Sequence, residues 1–168
     1  MQPAECLRRV RPLVRERVPS ELREFQWESF SFQSKLWYGN KALHYEIWPR
    51  EKLGTIEVGL HFEADPLTNA RLLAAFAANA RTIRRALVGA RIEEWDRGWA
   101  RVWEPLPHRK PDAGLASELA ERIAGYVTAL EPILRRELPS DVAWTELEMR
   151  PARATAAAKS RTSRTVRR

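Results

Sequence analysis

Residues 43–62 read LHYEIWPREKLGTIEVGLHF, a stretch in which apolar and polar side chains alternate. A period of two places successive side chains on opposite faces of a β-strand. Two such runs flank the loop 49–54, so the stretch predicts a pair of antiparallel strands. One face of the pair is apolar and should pack on the core; it is formed by Leu43, Tyr45, Ile47, Ile56, Val58, Leu60 and Phe62.

Three further strands are predicted around this pair. A strand ending near Leu36 leads into it through Gly39-Asn40, a dipeptide typical of two-residue hairpin turns. Residues 91–104 are rich in aromatic side chains on both sides of an Asp-Arg-Gly turn, which predicts a second hairpin. The pattern over 142–149 is mixed and gives a candidate last strand. The sheet is therefore expected to consist of a three-strand meander plus a hairpin.

Helical periodicity marks three other segments. Apolar residues recur at helical spacing in an N-terminal segment, 4–26. Asp65 provides an N-cap before Pro66, and one amphipathic helix is predicted from there toward Gly89. A long amphipathic helix follows over 115–138. We expect the helices to pack mainly on one face of the antiparallel sheet, which defines an α+β fold.

The basic charge of the chain is concentrated at its C-terminal end. Residues 1–150 carry 23 Lys and Arg against 22 Asp and Glu, whereas 151–168 carry basic residues and no acid. We predict one domain over 1–150, with its sheet and helices over 30–150. Residues 151–168 have few apolar side chains to bury, so we predict that they form a disordered tail. A basic, disordered tail favours contact with the phosphates of nucleic acid, independent of the base sequence. The tail arginines considered for this contact are Arg161, Arg164, Arg167 and Arg168.

Composition argues against several classes of protein. No window approaches the roughly 18 uncharged apolar residues of a membrane-spanning helix. The first residues lack the apolar run of a signal peptide, so we expect a cytoplasmic protein without membrane contact. Cys6 is the single cysteine, which leaves no intramolecular disulfide. Glycine-rich phosphate loops and dinucleotide fingerprints are missing from the sequence, and no organic cofactor is predicted.

The second face of the predicted strand pair carries titratable side chains. Pairing through the expected turns places Glu46 beside Glu57 and puts His44 and His61 on the same surface. Histidines and carboxylates together suit acid–base catalysis or a divalent metal ion. A polar, solvated strand surface without a ligand has the same composition, so both interpretations stay open.

Trp99, Arg101 and Trp103 alternate along a predicted strand and should point the same way. If they are exposed, they suit stacking on nucleic-acid bases; if they are buried, they belong to the core. Three arginines within 81–85 form another candidate, although a basic helix face is often only a solvated one.

A resemblance to a known domain rests on residues 44–76, HYEIWPREKLGTIEVGLHFEADPLTNARLLAAF, followed by an Ile-x-x-Trp hairpin and the helix LASELAERIAGYV. This order of elements, with Asn69, Trp95 and Arg101, resembles a bacterial α+β domain of unassigned function that sometimes occurs in proteins related to restriction systems. The likeness covers about residues 30–135. It implies a housekeeping or defence-associated role, slightly favours nucleic acid, and transfers no functional residue.

Three hypotheses follow from the sequence. We favour a non-enzymatic binding or accessory protein that contacts nucleic acid through its tail. The alternative is an enzyme or a small-ligand or metal-binding domain that uses His44, Glu46, Glu57 and His61, with a divalent ion as the candidate cofactor. The third is a structural domain that forms homo-oligomers.

Overall fold

The computed structural model describes residues 1–138, which form a six-strand antiparallel sheet and four α-helices. In chain order the elements are α1 Pro3–Arg17, β1 Gln26–Ser29, β2 Ser34–Trp37, β3 Leu43–Arg50, β4 Thr55–Phe62, α2 Pro66–Ala78, α3 Ala80–Ala86, β5 Arg91–Glu94, β6 Ala100–Pro107 and α4 Ala113–Glu137. The strand order is β1-β2-β3-β4-β6-β5. The predicted α+β class and antiparallel sheet are confirmed. The candidate strand 142–149 and the tail 151–168 lie outside the described residues.

The predicted apolar face of β3 and β4 forms the centre of the core. All seven of its side chains are at most 2% exposed. Buried side chains from α1, α2, α3 and α4 belong to the same core cluster. Phe62 of β4, for example, meets Phe76 of α2 edge to face, with ring centroids 5.1 Å apart. Burial on this scale is the main favourable term for such a fold. Within residues 1–138, no helix has the length and apolar character needed to cross a membrane.

Asp65 caps α2 as predicted, because its Oδ1 accepts hydrogen bonds from the amides of Leu67 and Thr68. The prediction of one continuous helix toward Gly89 is wrong. The helix breaks at Asn79, whose side-chain Nδ2 donates to the carbonyl oxygen of Ala75 at 2.8 Å. A side chain that satisfies a terminal carbonyl stabilises a helix end, so α3 starts as a separate short helix.

The N-terminal helical segment is shorter than the predicted 4–26. Helix α1 ends at Arg17, and the backbone of Val18 is extended. A single 3-10 turn, Ser20–Leu22, follows, and residues from Gln26 pair with β2 as an edge strand. The sheet thus gains one strand, β1, at the end of the predicted helical segment and in the gap before the predicted sheet, because ladder hydrogen bonds with β2 stabilise it there.

The strand register differs from the prediction by two residues in both central hairpins. The β2–β3 connection is a five-residue loop, in which Oδ1 of Asn40 accepts from the amide of Ala42. In the next hairpin Trp48 lies opposite Glu57, and Glu46 lies opposite Gly59. A shift of two preserves the face of every side chain but changes its neighbours. The predicted pairing of Glu46 with Glu57 is therefore wrong.

Gly59 allows β4 and β6 to approach closely. A Cβ at this position would lie 2.4 Å from the carbonyl oxygen of Val102 and 2.6 Å from Cα of Trp103. These separations are far shorter than van der Waals contact between carbon and backbone atoms. The residue is therefore restricted to glycine for steric reasons, even though β4 is otherwise a regular strand.

Candidate metal centre

Four side chains converge where β3 and β4 pair on the second face of the sheet. His44 and His61 are direct cross-strand partners, Glu46 follows on β3, and Glu63 comes immediately after β4. One ligand atom from each of the four lies within 4.8 Å of the others. The two imidazole rings stack with centroids 5.6 Å apart, and both are only 1% exposed. This buried set of two imidazoles and two carboxylates is called the His/Glu cluster below.

The backbone sets the orientation and tautomer of His44. Its Nδ1 lies 2.9 Å from the carbonyl oxygen of Lys41, and a carbonyl only accepts, so Nδ1 carries the proton. Burial lowers the pKa of His44, although Glu46 opposes this effect, so the neutral ring is favoured. Its unprotonated Nε2 then faces Oε2 of Glu46 at 3.2 Å. Two lone pairs at this distance repel unless a proton or a cation lies between them.

The net charge of the His/Glu cluster depends on the protonation of its imidazoles. Burial opposes ionisation of Glu46, but the hydrogen bond with His44 and a positive charge on the imidazoles of His61 and His44 outweigh burial and lower its pKa to about 2. The same balance lowers the pKa of Glu63. Lys35 is the neighbouring cation, with Nζ 3.3 Å from Glu46 and 3.6 Å from Glu63. Two carboxylates and one ammonium leave one uncompensated negative charge when both imidazoles are neutral.

One nitrogen of His61 has no hydrogen-bond partner among the described residues. Within the described part of the chain, its buried Nδ1 makes no hydrogen bond. Oε1 of Glu63 is 3.8 Å away, which is too far for one. Trp95 holds the His61 ring in place by an edge-to-face contact at 5.3 Å. An unsatisfied buried nitrogen costs about 1–3 kcal/mol, so its presence among three other ligand groups favours an additional bound species.

The donor set and spacing suit a first-row divalent ion such as Zn²⁺. Imidazole nitrogen and carboxylate oxygen bind Zn²⁺ at about 2.0–2.2 Å, so ligand atoms in a tetrahedral site are about 3.4 Å apart. The distances from His44 Nε2 to Glu46 and to Glu63 are 3.2 Å and 3.9 Å. The four ligand atoms lie within 4.8 Å of one another, so binding would require the widest pair to contract by up to about 1.4 Å. The hydrogen bond from His44 to the Lys41 carbonyl is the outer-sphere contact that metal-binding histidines commonly make.

The cluster only partly matches the predicted set His44, Glu46, Glu57 and His61. Glu57 is displaced from it by the register shift and instead accepts hydrogen bonds from Arg50 and Arg101, each at 3.0 Å. Glu63 takes the fourth position. The alternation that places His61 on this face continues to Glu63, but the predicted strand ended at Phe62.

The stripe Trp99, Arg101 and Trp103 is mostly covered. Arg101 and Trp103 are each 8% exposed, and Trp99 is half-buried in the β5–β6 turn. The guanidinium of Arg101 lies 3.8 Å from the centroid of the Trp103 ring. Oε1 of Glu93 accepts hydrogen bonds from both Arg101 and Trp103, at 2.8 Å and 2.7 Å. Because Arg101 and Trp103 are covered and their donors are paired to carboxylates, these two side chains do not favour base stacking.

The four predicted tail arginines, Arg161, Arg164, Arg167 and Arg168, lie outside the described residues. Comparison of this chain with protein families, with curated proteins and with solved structures gives no match. The resemblance to the bacterial domain over about residues 30–135 therefore stays a prediction.

Proposed function

We propose that this protein binds one Zn²⁺-class ion through His44, Glu46, His61 and Glu63. The observation that carries the proposal is the orientation of His44, whose Nδ1 proton is committed to a backbone carbonyl while Nε2 points at a carboxylate oxygen. Two further features support the same conclusion. Nδ1 of His61 has no hydrogen-bond partner within residues 1–138, and the cluster has one excess negative charge when its imidazoles are neutral. A divalent cation at the centre of the cluster would bind Nε2 of His44 and Nδ1 of His61 and would compensate the negative charge.

The proposed ion has a structural role. Four protein ligands complete a tetrahedral shell, and structural zinc sites are closed in this way, whereas catalytic sites keep a position for water. The burial of His44, Glu46 and His61 agrees with a closed site. Since the ion binds the folded chain, it stabilises the β3–β4 pair by linkage. At a free concentration one hundred times Kd, this amounts to about 2.7 kcal/mol, or about 5–11 °C in Tm.

The competing explanation is an ion pair between protonated His44 and ionised Glu46. A protonated ring would donate from Nδ1 to Lys41 and from Nε2 to Glu46, and no metal would be needed. This explanation leaves Nδ1 of His61 unsatisfied. It also requires a buried positive charge on His44, which desolvation disfavours.

Metal binding is tested by titrating chelator-treated protein with Zn²⁺ in a calorimeter, and with Co²⁺ while following visible absorption. We expect one ion per chain and the intense absorption of tetrahedral Co²⁺. Trp95 lies 5.3 Å from the His61 ring, so Co²⁺ should also quench tryptophan emission. Absence of binding to the wild-type chain would overturn the proposal.

Two variants and a matched control locate the site. His61→Asn and Glu63→Gln each remove one ligand, and Glu63 is the more exposed of the two, with 19% of its side chain accessible. Both should weaken Zn²⁺ binding while circular dichroism shows a folded chain. His108→Asn is the control, because His108 lies beyond β6 and donates its backbone amide to Gly54. Equal effects of all three substitutions would show that binding is adventitious.

A second candidate function is contact with nucleic acid through the tail, and the uneven charge of the sequence supports it. Residues 151–168 contain six of the 29 Lys and Arg and no acid. Each phosphate that is neutralised contributes about 0.9 to the slope of log K against log salt concentration. Replacing Arg161, Arg164, Arg167 and Arg168 by Gln should therefore lower that slope by about three to four for duplex DNA. An unchanged slope would remove the tail from consideration.

A further inference from the structure

Helices α2 and α3 present a surface from which acidic residues are absent. Between Asp65 and Glu93 the sequence contains no Asp or Glu. The same stretch carries five arginines, namely Arg71, Arg81, Arg84, Arg85 and Arg91. The segment carries five positive charges, whereas the remaining residues of 1–150 carry 18 Lys and Arg against 22 Asp and Glu. Its potential therefore attracts anions to one side of the molecule.

Three of these arginines share one face of α3. Residues three and four apart are neighbours on a helix, so Arg81, Arg84 and Arg85 project together. Ile83, between them in sequence, is 1% exposed and anchors the other face of the helix in the core. The three arginines are exposed. We call them the α3 arginine face.

The α3 arginine face is not neutralised by the part of the chain that the structure describes. Within residues 1–138, Arg81, Arg84 and Arg85 form no ion pair. Helix α1 is also arginine-rich but contains acidic residues, Glu5 and Glu16, and two of its five arginines are near carboxylates, with Arg9 paired with Glu5 at 2.7 Å and Arg15 4.0 Å from Glu24. Charges left uncompensated on a folded surface are available to an external partner, whereas paired ones are not.

The position of α3 is fixed by contacts that leave the arginines outward. Asn79 closes α2 through its bond to Ala75, and its Oδ1 accepts from Arg136 of α4 at 3.2 Å. Leu67 is exposed near the N-terminal end of α2, but the exposed residues of α2 nearest to α3 are small, namely Ala74, Ala77 and Ala78. Small side chains beside the arginines let a large, flat polyanion come close to both helices.

We infer that the α3 arginine face binds the phosphate backbone of a nucleic acid. Arginine pairs with phosphate through two parallel donors, and contacts of this kind do not read sequence. An anionic membrane is less favoured, because surface helices that insert into lipid combine basic residues with several large apolar ones, whereas Leu67 is the single large apolar side chain exposed on α2 and α3, and Val88 follows α3. This inference is independent of the metal centre and of the tail, since it rests on residues of the described domain alone.

The test compares two triple variants of the full chain that change net charge equally. Arg81→Ala/Arg84→Ala/Arg85→Ala removes the α3 arginine face. Arg8→Ala/Arg11→Ala/Arg23→Ala removes three exposed arginines near α1 and serves as the control. Binding to fluorescent duplex DNA and duplex RNA is measured across a salt series, with circular dichroism to verify folding.

We expect the α3 variant to bind duplex more weakly and to lower the salt slope by up to about three, at about 0.9 per phosphate, while the control retains most of the slope. Equal losses in both variants would mean that only net charge matters, and this would overturn the inference. Unchanged binding in the α3 variant would also overturn it and would leave the tail as the contact. Binding to phosphatidylserine vesicles without binding to duplex would assign the face to a membrane instead.

Discussion

Replacing Lys35 by Met should make the chain more dependent on Zn²⁺. In the metal-free protein, Lys35 supplies the neighbouring positive charge to the His/Glu cluster, with contacts of 3.3 Å and 3.6 Å to its two carboxylates. A metal ion bound in the cluster would contact the same carboxylate oxygens of Glu46 and Glu63. The ammonium group and the metal ion therefore compensate the same charge, and removal of Lys35 matters most when the metal is absent.

The size of the effect follows from these distances and from burial. At an effective dielectric constant of about 20, each contact corresponds to about 5 kcal/mol of Coulomb energy before desolvation is subtracted. Breaking a buried pair costs about 3–5 kcal/mol net, and the lower value applies because 17% of the Lys35 side chain is accessible. Lys35→Met should thus destabilise the metal-free protein by about 3 kcal/mol. It should tighten Zn²⁺ binding by about one hundredfold, since 1.4 kcal/mol is a factor of ten.

The assay is urea unfolding in a chelator and in saturating Zn²⁺, with Zn²⁺ affinity measured by competition against a metal indicator. Arg50→Met is the matched control, because Arg50 pairs with Glu57 at 3.0 Å on the same face of the sheet but outside the cluster. The control should lose the same stability in both conditions. If Lys35→Met also loses equal stability with and without Zn²⁺, then Lys35 and the ion do not share the carboxylates, and the reasoning fails.

Two further predictions concern the sheet and its contact with α4. Gly59→Ala should destabilise the fold by about 1–3 kcal/mol or more, because its Cβ would lie 2.6 Å from Cα of Trp103; a denaturation midpoint equal to that of wild type would contradict this. Glu131 of α4 accepts a hydrogen bond from the hydroxyl of Tyr45 at 2.9 Å, and burial raises its pKa above the unfolded value. Its contribution to folding stability is therefore complete below about pH 4 and declines as pH rises through the folded pKa. Glu131→Gln should therefore gain stability relative to wild type between pH 4 and pH 7, and a constant difference across that range would count against it.

The face of each residue in the central strands could be predicted from the sequence, because alternation is local. Tyr45 and Ile47 are buried in the core as expected, and His44 and Glu46 lie on the other face. The cross-strand neighbours could not be predicted, since they depend on loop length. Asn40 suggested a two-residue turn, but its side chain instead stabilises a five-residue loop.

The candidate site was only partly predictable for the same reason. A register shift of two residues left the histidines on one face but exchanged Glu57 for Glu63. The burial of Arg101 and Trp103 could not be inferred from their own spacing. It depends on Glu93 of the neighbouring strand β5, and an isolated strand pattern contains no information about a partner across the ladder.

The hydrogen bond between the Lys41 carbonyl and His44 couples a surface loop to the proposed ion. The Lys41 side chain also pairs with Glu28 on the edge strand β1 at 2.7 Å and lies 5.0 Å from the ring of Trp37. Binding at two coupled sites is reciprocal. If a ligand bound to the loop that contains Lys41 raised the affinity for the metal ion, the metal ion would raise the affinity for that ligand by the same factor. Metal binding to the buried His/Glu cluster should therefore increase the protection of the loop amides against hydrogen exchange, at the edge of the sheet.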